Sequence, residues 1–133
     1  HVLWLQFDYK RDRGETFADF FSYARGYNRI TSDWIYRAGV NYQFPVIYPD
    51  FGFAGIAYFK RLRANLFFDY SRSSLENVLS VYRSTGIELM FDLELFNVEP
   101  VTLAWRWSYL HDVDPAEPTR SYRFGFFTPF ERL

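Results

Sequence analysis

The chain has 133 residues, a formal net charge of -1 and no cysteine, which excludes disulfides and thiolate metal sites and leaves no bulk field to attract nucleic acid. Aromatic residues make up 23% and charged residues another 23%, with 16 Phe, 11 Tyr and 4 Trp. No stretch approaches the ~20 unbroken apolar residues of a membrane helix, so a helical membrane protein is excluded. The length is one domain's worth or a piece of a larger chain. The opening HVLWLQFDYK has neither a Met start nor a signal-peptide pattern and reads as a mature or fragmentary product.

Alternation of period two dominates, and alternate side chains of a strand stand on opposite faces. The opening segment sets Leu3, Leu5, Phe7 and Tyr9 against Gln6, Asp8 and Lys10. Residues 16–25 fit a strand or a short helical turn, and their pattern does not decide. Residues 34–44 set Trp34, Tyr36, Ala38, Val40, Tyr42 and Phe44 against Ile35, Arg37, Gly39, Asn41 and Gln43. A long joint with Pro45 and Pro49 follows, then residues 53–60, apolar on both faces.

Residues 60–63 predict a tight turn and 62–71 a strand with Leu62, Ala64, Leu66, Phe68 and Tyr70 opposite Arg63, Asn65, Asp69 and Ser71. Residues 72–82 predict a long loop. Residues 87–96 then set Ile87, Leu89, Phe91 and Leu93 against Glu88, Met90, Asp92 and Glu94. A tight joint at 97–100 leads to 101–109, with Val101, Leu103, Trp105, Trp107 and Tyr109 opposite Thr102, Ala104, Arg106 and Ser108. A long polar joint at 112–120 precedes the closing SYRFGFFTPFERL. Long joints thus alternate with tight ones, as at the two rims of an up-and-down barrel.

The apolar face is too rich in large rings to fit inside a narrow barrel. The other face mixes opposite charges with Gly, Asn, Gln and Ser, which suits an enclosed polar lumen. The expected fold is therefore all-β: an antiparallel up-and-down transmembrane β-barrel with about eight strands in this chain, alone or as part of a larger barrel. Residues 1–133 form one barrel domain, expected to be the C-terminal portion of a longer chain. The expected lumen charge network is Arg37, Arg63, Asp69, Glu88, Asp92, Glu94, Arg106 and Arg123, read as an ion-pair plug in preference to a solute-selecting constriction. Tyr9, Trp34, Tyr42, Tyr70, Tyr109 and Tyr122 are the expected aromatic interface at the headgroup levels. Lys60, Arg61 and Arg63 read as solvated turn residues, with anionic headgroups as the alternative partner.

The closing stretch resembles the C-terminal targeting strand of bacterial outer-membrane barrels, carried by Arg123, Gly125, Thr128 and Phe130. Thr128 stands where that pattern has a bulky group, and Glu131, Arg132 and Leu133 run past the usual final aromatic. The run FPVIYPDFGFAGIAYFKRLRANLFFDYS with YRSTGIELMFDLELF is similar to the C-terminal portion of large Bacteroidota outer-membrane proteins of the propeller-plus-barrel type. These resemblances imply an outer-membrane location, recognition by the barrel-assembly machinery and a polypeptide longer than this chain.

His111, Asp112, Asp114 and Glu117 share one loop. Rim catalysis and a calcium site are the functional readings; with no partnering Ser or second His placed by the sequence, the loop reads as a solvated one. The expectation is a non-enzymatic outer-membrane scaffold serving transport or assembly, with no cofactor or metal. Its expected partners are the lipid bilayer, the barrel-assembly machinery and other subunits of a membrane complex, without nucleic acid. The alternative is a soluble lipocalin-like barrel around an apolar ligand.

Overall fold

A computed structural model describes residues 1–11, 23–27, 32–96, 99–112 and 122–127. Two-faced segments pair edge to edge, because a strand in isolation leaves its backbone donors and acceptors unpaired. The described residues form no helix, and none therefore is long and apolar enough to cross a membrane. They build one antiparallel sheet of seven strands: β1 (Val2–Arg11), β2 (Trp34–Ile47), β3 (Phe51–Phe53), β4 (Ala57–Leu75), β5 (Val78–Leu95), β6 (Glu99–Leu110) and β7 (Tyr122–Phe127). The spatial order is β1-β2-β4-β5-β6-β7, with β3 a short flap on β4.

Four sequence expectations need correction. The sheet is open among the described residues: β1 pairs only with β2, and β7 only with β6. Alternation reports which face a residue occupies; it carries no information on how many strands complete a wall. Among the described residues there are seven strands, of which β3 has only three residues; of the undecided segment 16–25, residues 16–22 lie outside the described residues and residues 23–25 form no strand.

Residues 60–63 are no turn. They lie within β4, where the register shifts between Phe59 and Arg61. A bulge puts one extra residue into the strand and reverses the parity of the faces beyond it, which is why the periodic pattern breaks at Lys60. A second shift between Pro45 and Ile47 extends β2 past Pro45, a position where the missing amide donor of proline is tolerated.

Residues 72–82 are no loop. β4 runs to Leu75 and β5 resumes at Val78, joined by Glu76 and Asn77 with φ of 48° and 68°. Two left-handed residues in succession make the tight hairpin turn whose twist matches that of paired strands. Residues 53–60 likewise divide into the end of β3, a turn with Ala54 and Gly55 at φ of 50° and 70°, and the start of β4.

The two faces separate sharply. Leu5, Phe7 and Phe124 are 76%, 71% and 67% exposed, while Asp69 and Arg37 are 0% and 3% exposed. Buried positions on the inner face include Asn41, Asn65, Ser71, Ser84, Glu88 and Ser108. The buried face of this sheet is mostly polar, with Ile35, Phe67, Met90 and Leu110 among the polar groups, and its exposed face is apolar.

Candidate functional site

The inner face is organised by a residue the strand pattern does not contain. Residues 23–27 cross that face, with Ala24 fully buried and Tyr27 N bonded to Ala24 O at 3.1 Å. Gly26 has φ of 94°, and a Cβ there would sit 2.7 Å from Leu110 and 3.1 Å from Ser108. Only glycine combines that backbone angle with so close an approach to β6.

This crossing delivers Arg25 to the middle of the sheet. Its Nε and NH2 donate to Asp69 Oδ2 and Oδ1 at 2.8 and 3.0 Å, and its backbone N donates to Oδ2 at 3.0 Å. NH2 also donates to Asn41 Oδ1 at 2.6 Å, and NH1 to Glu88 Oε1 at 3.3 Å. A guanidinium fork on a carboxylate fixes geometry as well as charge. The guanidinium carbon lies 3.8 Å from the Phe67 ring centroid, in cation–π range. That ring in turn lies over Gly86, where a Cβ would meet it at 2.6 Å.

Neighbouring pairs extend the network. Arg37 NH2 donates to Asp69 Oδ1 at 2.9 Å and its NH1 to Asp8 Oδ2 at 3.4 Å. Gly39 makes room for the first of these, because a Cβ there would stand 2.8 Å from Asp69 Oδ1. Arg106 Nε donates to Glu88 Oε1 at 2.6 Å, and Asn65 Nδ2 bridges Asn41 Oδ1 and Glu88 Oε2 at 3.2 and 2.8 Å. Removing charges from water is costly unless each is paired and hydrogen-bonded, and here the pairing is dense.

A second group sits nearer the β5–β6 joint. Asp92 accepts from Arg63 NH2 at 2.7 Å, from Thr102 Oγ1 at 2.8 Å and from Arg61. Glu94 pairs with Lys60. The cations expected as solvated turn residues thus face carboxylates within the sheet. Of the expected lumen network, Arg37, Asp69, Glu88 and Arg106 come together around Arg25, Arg63 and Asp92 form the second group, and Glu94 lies apart. Arg123 is exposed on β7. Gly125 lies on the same strand, and Thr128 and Phe130 lie outside the described residues.

At the opposite rim, Arg83 closes on Asp112. Arg83 N, Nε and NH2 donate to its carboxylate at 2.7, 3.1 and 2.7 Å. These hydrogen bonds from the guanidinium, opposed by partial burial, hold the Asp112 carboxyl below the usual carboxylate range. Tyr27 OH donates to Arg83 O at 2.9 Å and accepts from Asp112 N at 3.2 Å. His111 Nε2 lies 2.7 Å from Thr85 Oγ1 and its ring stands edge-on to Tyr109. Asp114 and Glu117 lie outside the described residues. Among the described residues no three acidic or His side chains cluster in a way that could hold a metal ion.

The outer face carries a diagonal aromatic row. Tyr9 pairs with Tyr36, whose β4 partner is Arg72; the next ring, Tyr70, lies two residues along from Arg72. Tyr70 pairs with Arg83, and two residues further along β5 Thr85 pairs with Tyr109, which pairs with Tyr122. Two pairs of the row meet ring to ring, Tyr36–Tyr70 with centroids at 6.2 Å and Tyr109–Tyr122 at 5.2 Å. Trp34 stacks on Tyr36 at 6.1 Å. Tyr42 stands outside this row, opposite Leu3 and Leu66, with its OH 2.9 Å from His1 Nδ1.

Sequence reasoning missed Arg25 because its partners are 16 to 63 residues away; the available signal was an Arg-Gly pair in a segment without period. The chain matches no protein-family model, no curated protein and no solved structure.

Proposed function

We propose that this chain is part of the wall of a bacterial outer-membrane β-barrel, a lipid-embedded scaffold serving transport or assembly and not an enzyme. The observation that carries the reading is the inverted sheet, with large apolar side chains outward and ion pairs inward. Water leaves such an outer face unfavourable, whereas hydrocarbon accepts it, and strand pairing satisfies the backbone. A soluble lipocalin-like barrel needs the opposite arrangement, with the aromatic face enclosing its ligand.

Two further features support the membrane reading. β1, β2, β4, β5 and β6 have 10, 14, 19, 18 and 12 residues, against the ~9–11 needed to cross tilted. The aromatic row drifts in one direction as it passes from β1 to β7. At ~3.4 Å per residue and ~4.8 Å per strand, that drift corresponds to a slope of roughly 30°. A level girdle of rings on strands tilted by ~35–45° requires a drift of that kind. In this reading further strands, from the same polypeptide or another, pair with the open edges of β1 and β7, because an exposed edge does not persist in lipid.

The test is extraction and gel migration. The expected protein requires detergent, fractionates with outer membranes and migrates differently before and after heating. Full solubility without detergent, with no change on heating, overturns the proposal.

A further inference from the structure

We propose that β1 of one copy of this chain pairs with β7 of a second copy, antiparallel and with Asp8 opposite Arg123, so that copies join edge to edge into one wall. The inference rests on the wall reading and names the strands that meet its open edges.

Each free edge carries unpaired backbone donors and acceptors, and lipid offers them nothing. Among the described residues the sheet path runs β1-β2-β4-β5-β6-β7, with every neighbour antiparallel. Across these six strands β1 and β7 run in opposite directions, as adjacent strands of an up-and-down barrel do. Closing them on each other within one copy leaves too little room. Eight strands enclose an interior just wide enough for side chains, six enclose less, and here residues 23–27 lay backbone across the inner face with Ala24 fully buried. A second copy brings the same pair of edges without that constraint, and head-to-tail contacts of this kind form a ring when the rotation closes.

The two edges complement each other. Phe7 and Tyr9 on β1, and Tyr122 and Phe124 on β7, are exposed on the apolar face, so parity sets Tyr9 opposite Tyr122 or shifts it by two residues. Arg123 shares the inner face with its register partner Ser108, which is buried, yet Arg123 is exposed at the free side of β7. No carboxylate among the described residues pairs with it. At the other edge the Asp8 side chain is 30% exposed, and its cationic contact is the 3.4 Å one from Arg37, which bonds Asp69 more closely at 2.9 Å. Joining Tyr9 to Tyr122 continues the aromatic row, sets Asp8 against Arg123 and puts Phe7 beside Phe124. A shift of two residues one way sets Lys10 against Arg123, and like charges directly opposite are unfavourable. The same shift the other way sets Gln6 there and leaves both charges unmatched.

Cysteine pairs test the register cleanly, because the chain has no cysteine of its own. Facing Cα atoms of antiparallel strands are ~4.5–5.5 Å apart and within disulfide reach, whereas diagonal neighbours are ~7–8 Å apart and beyond it. Copies carrying Asp8→Cys coexpressed with copies carrying Arg123→Cys are expected to give, on oxidation, a band of twice the chain mass on non-reducing gels. Lys10→Cys with Arg123→Cys should give several-fold less, and the parent protein should scatter light in detergent as more than one chain per particle. A monomeric parent, equal yields from the two pairs, or a single chain with Asp8→Cys and Arg123→Cys that oxidises within itself overturns the pairing. Gel migration on the same preparations separates the two readings. Heat-modifiable protein that stays monomeric overturns only the pairing, and soluble, heat-insensitive protein that forms the crosslink overturns only the membrane wall.

Discussion

Arg25 and Asp69 are joined by three hydrogen bonds across 44 residues of sequence, two from the guanidinium and one from the backbone amide of Arg25. Arg37 completes the set on the same carboxylate. Asp69 is fully buried, so it is the anion on which both arginines depend. The crossing segment is thereby tied to β4, and through Asn41 and Glu88 to β2 and β5.

Breaking that tie from the anionic side should cost more than removing the whole pair. Asp69→Asn puts a neutral amide where two guanidinium groups share a buried carboxylate, leaving Glu88 and Asp8 as their remaining anions, and is expected to destabilise the fold by about 3–5 kcal/mol. Arg25→Met with Asp69→Leu removes the buried charge pair together and should cost less than Asp69→Asn alone. Urea unfolding in micelles reads both. An Asp69→Asn change within experimental error of the parent would show that the pair carries no structural weight.

Glycines on the inner face should rank by what their Cβ would strike. At Gly86 an added Cβ would stand 2.2 Å from the Trp107 carbonyl oxygen, at Gly39 it would stand 2.8 Å from Asp69 Oδ1, and at Gly125 nothing lies within 4 Å. Gly86→Ala and Gly39→Ala are expected to cost about 1–3 kcal/mol, the backbone clash at Gly86 being the worse. Gly125→Ala should be near neutral, and the order is checked by thermal unfolding of the three variants.

Lysine scanning of the outer face tests the lipid contact. Val40 and Phe68 are register partners on the exposed face below the aromatic row, while Leu79 stands beyond it, near the β4–β5 turn. Val40→Lys or Phe68→Lys should lower stability in bilayers by about 2–4 kcal/mol, and Leu79→Lys by about 0–1 kcal/mol. Equal small effects at all three positions would place the whole face in water.

The Arg83–Asp112 clasp should respond to acid. The Asp112 carboxyl titrates below its ordinary value because Arg83 donates to its charged form. A group depressed in the folded state stabilises fully above its unfolded pKa, about 3.9 for aspartate. That contribution fades as pH falls from there through the lower folded value. Exchange of the Arg83 amide hydrogen, which donates to Asp112 Oδ2, should lose part of its protection over that window. Asp112→Asn should abolish this pH dependence, and an unchanged profile in the variant would sink the assignment.

Much of the sheet was legible in the sequence because a strand's faces alternate with a period that no neighbour can alter. The split between Leu5 or Phe124 outside and Asp69 or Glu88 inside follows from that period. Where the pattern failed, a local cause was responsible: the bulge at Lys60 reversed the parity and imitated a turn, and the run from Arg72 to Tyr82 hid the end of β4 and the start of β5, whose turn is set by the backbone angles of Glu76 and Asn77.

The sequence by itself determined two-faced strands and the chemistry of each face, since both depend on neighbours two residues apart. The tertiary structure decided which cation meets which carboxylate. Arg25 carries no periodic signal, and its place over Asp69 arises when a non-strand segment is laid across β2, β4 and β5. The same long-range assembly decided that the sheet has open edges among the described residues, because hydrogen bonding between strands is a relation among distant segments and leaves no mark on any one of them.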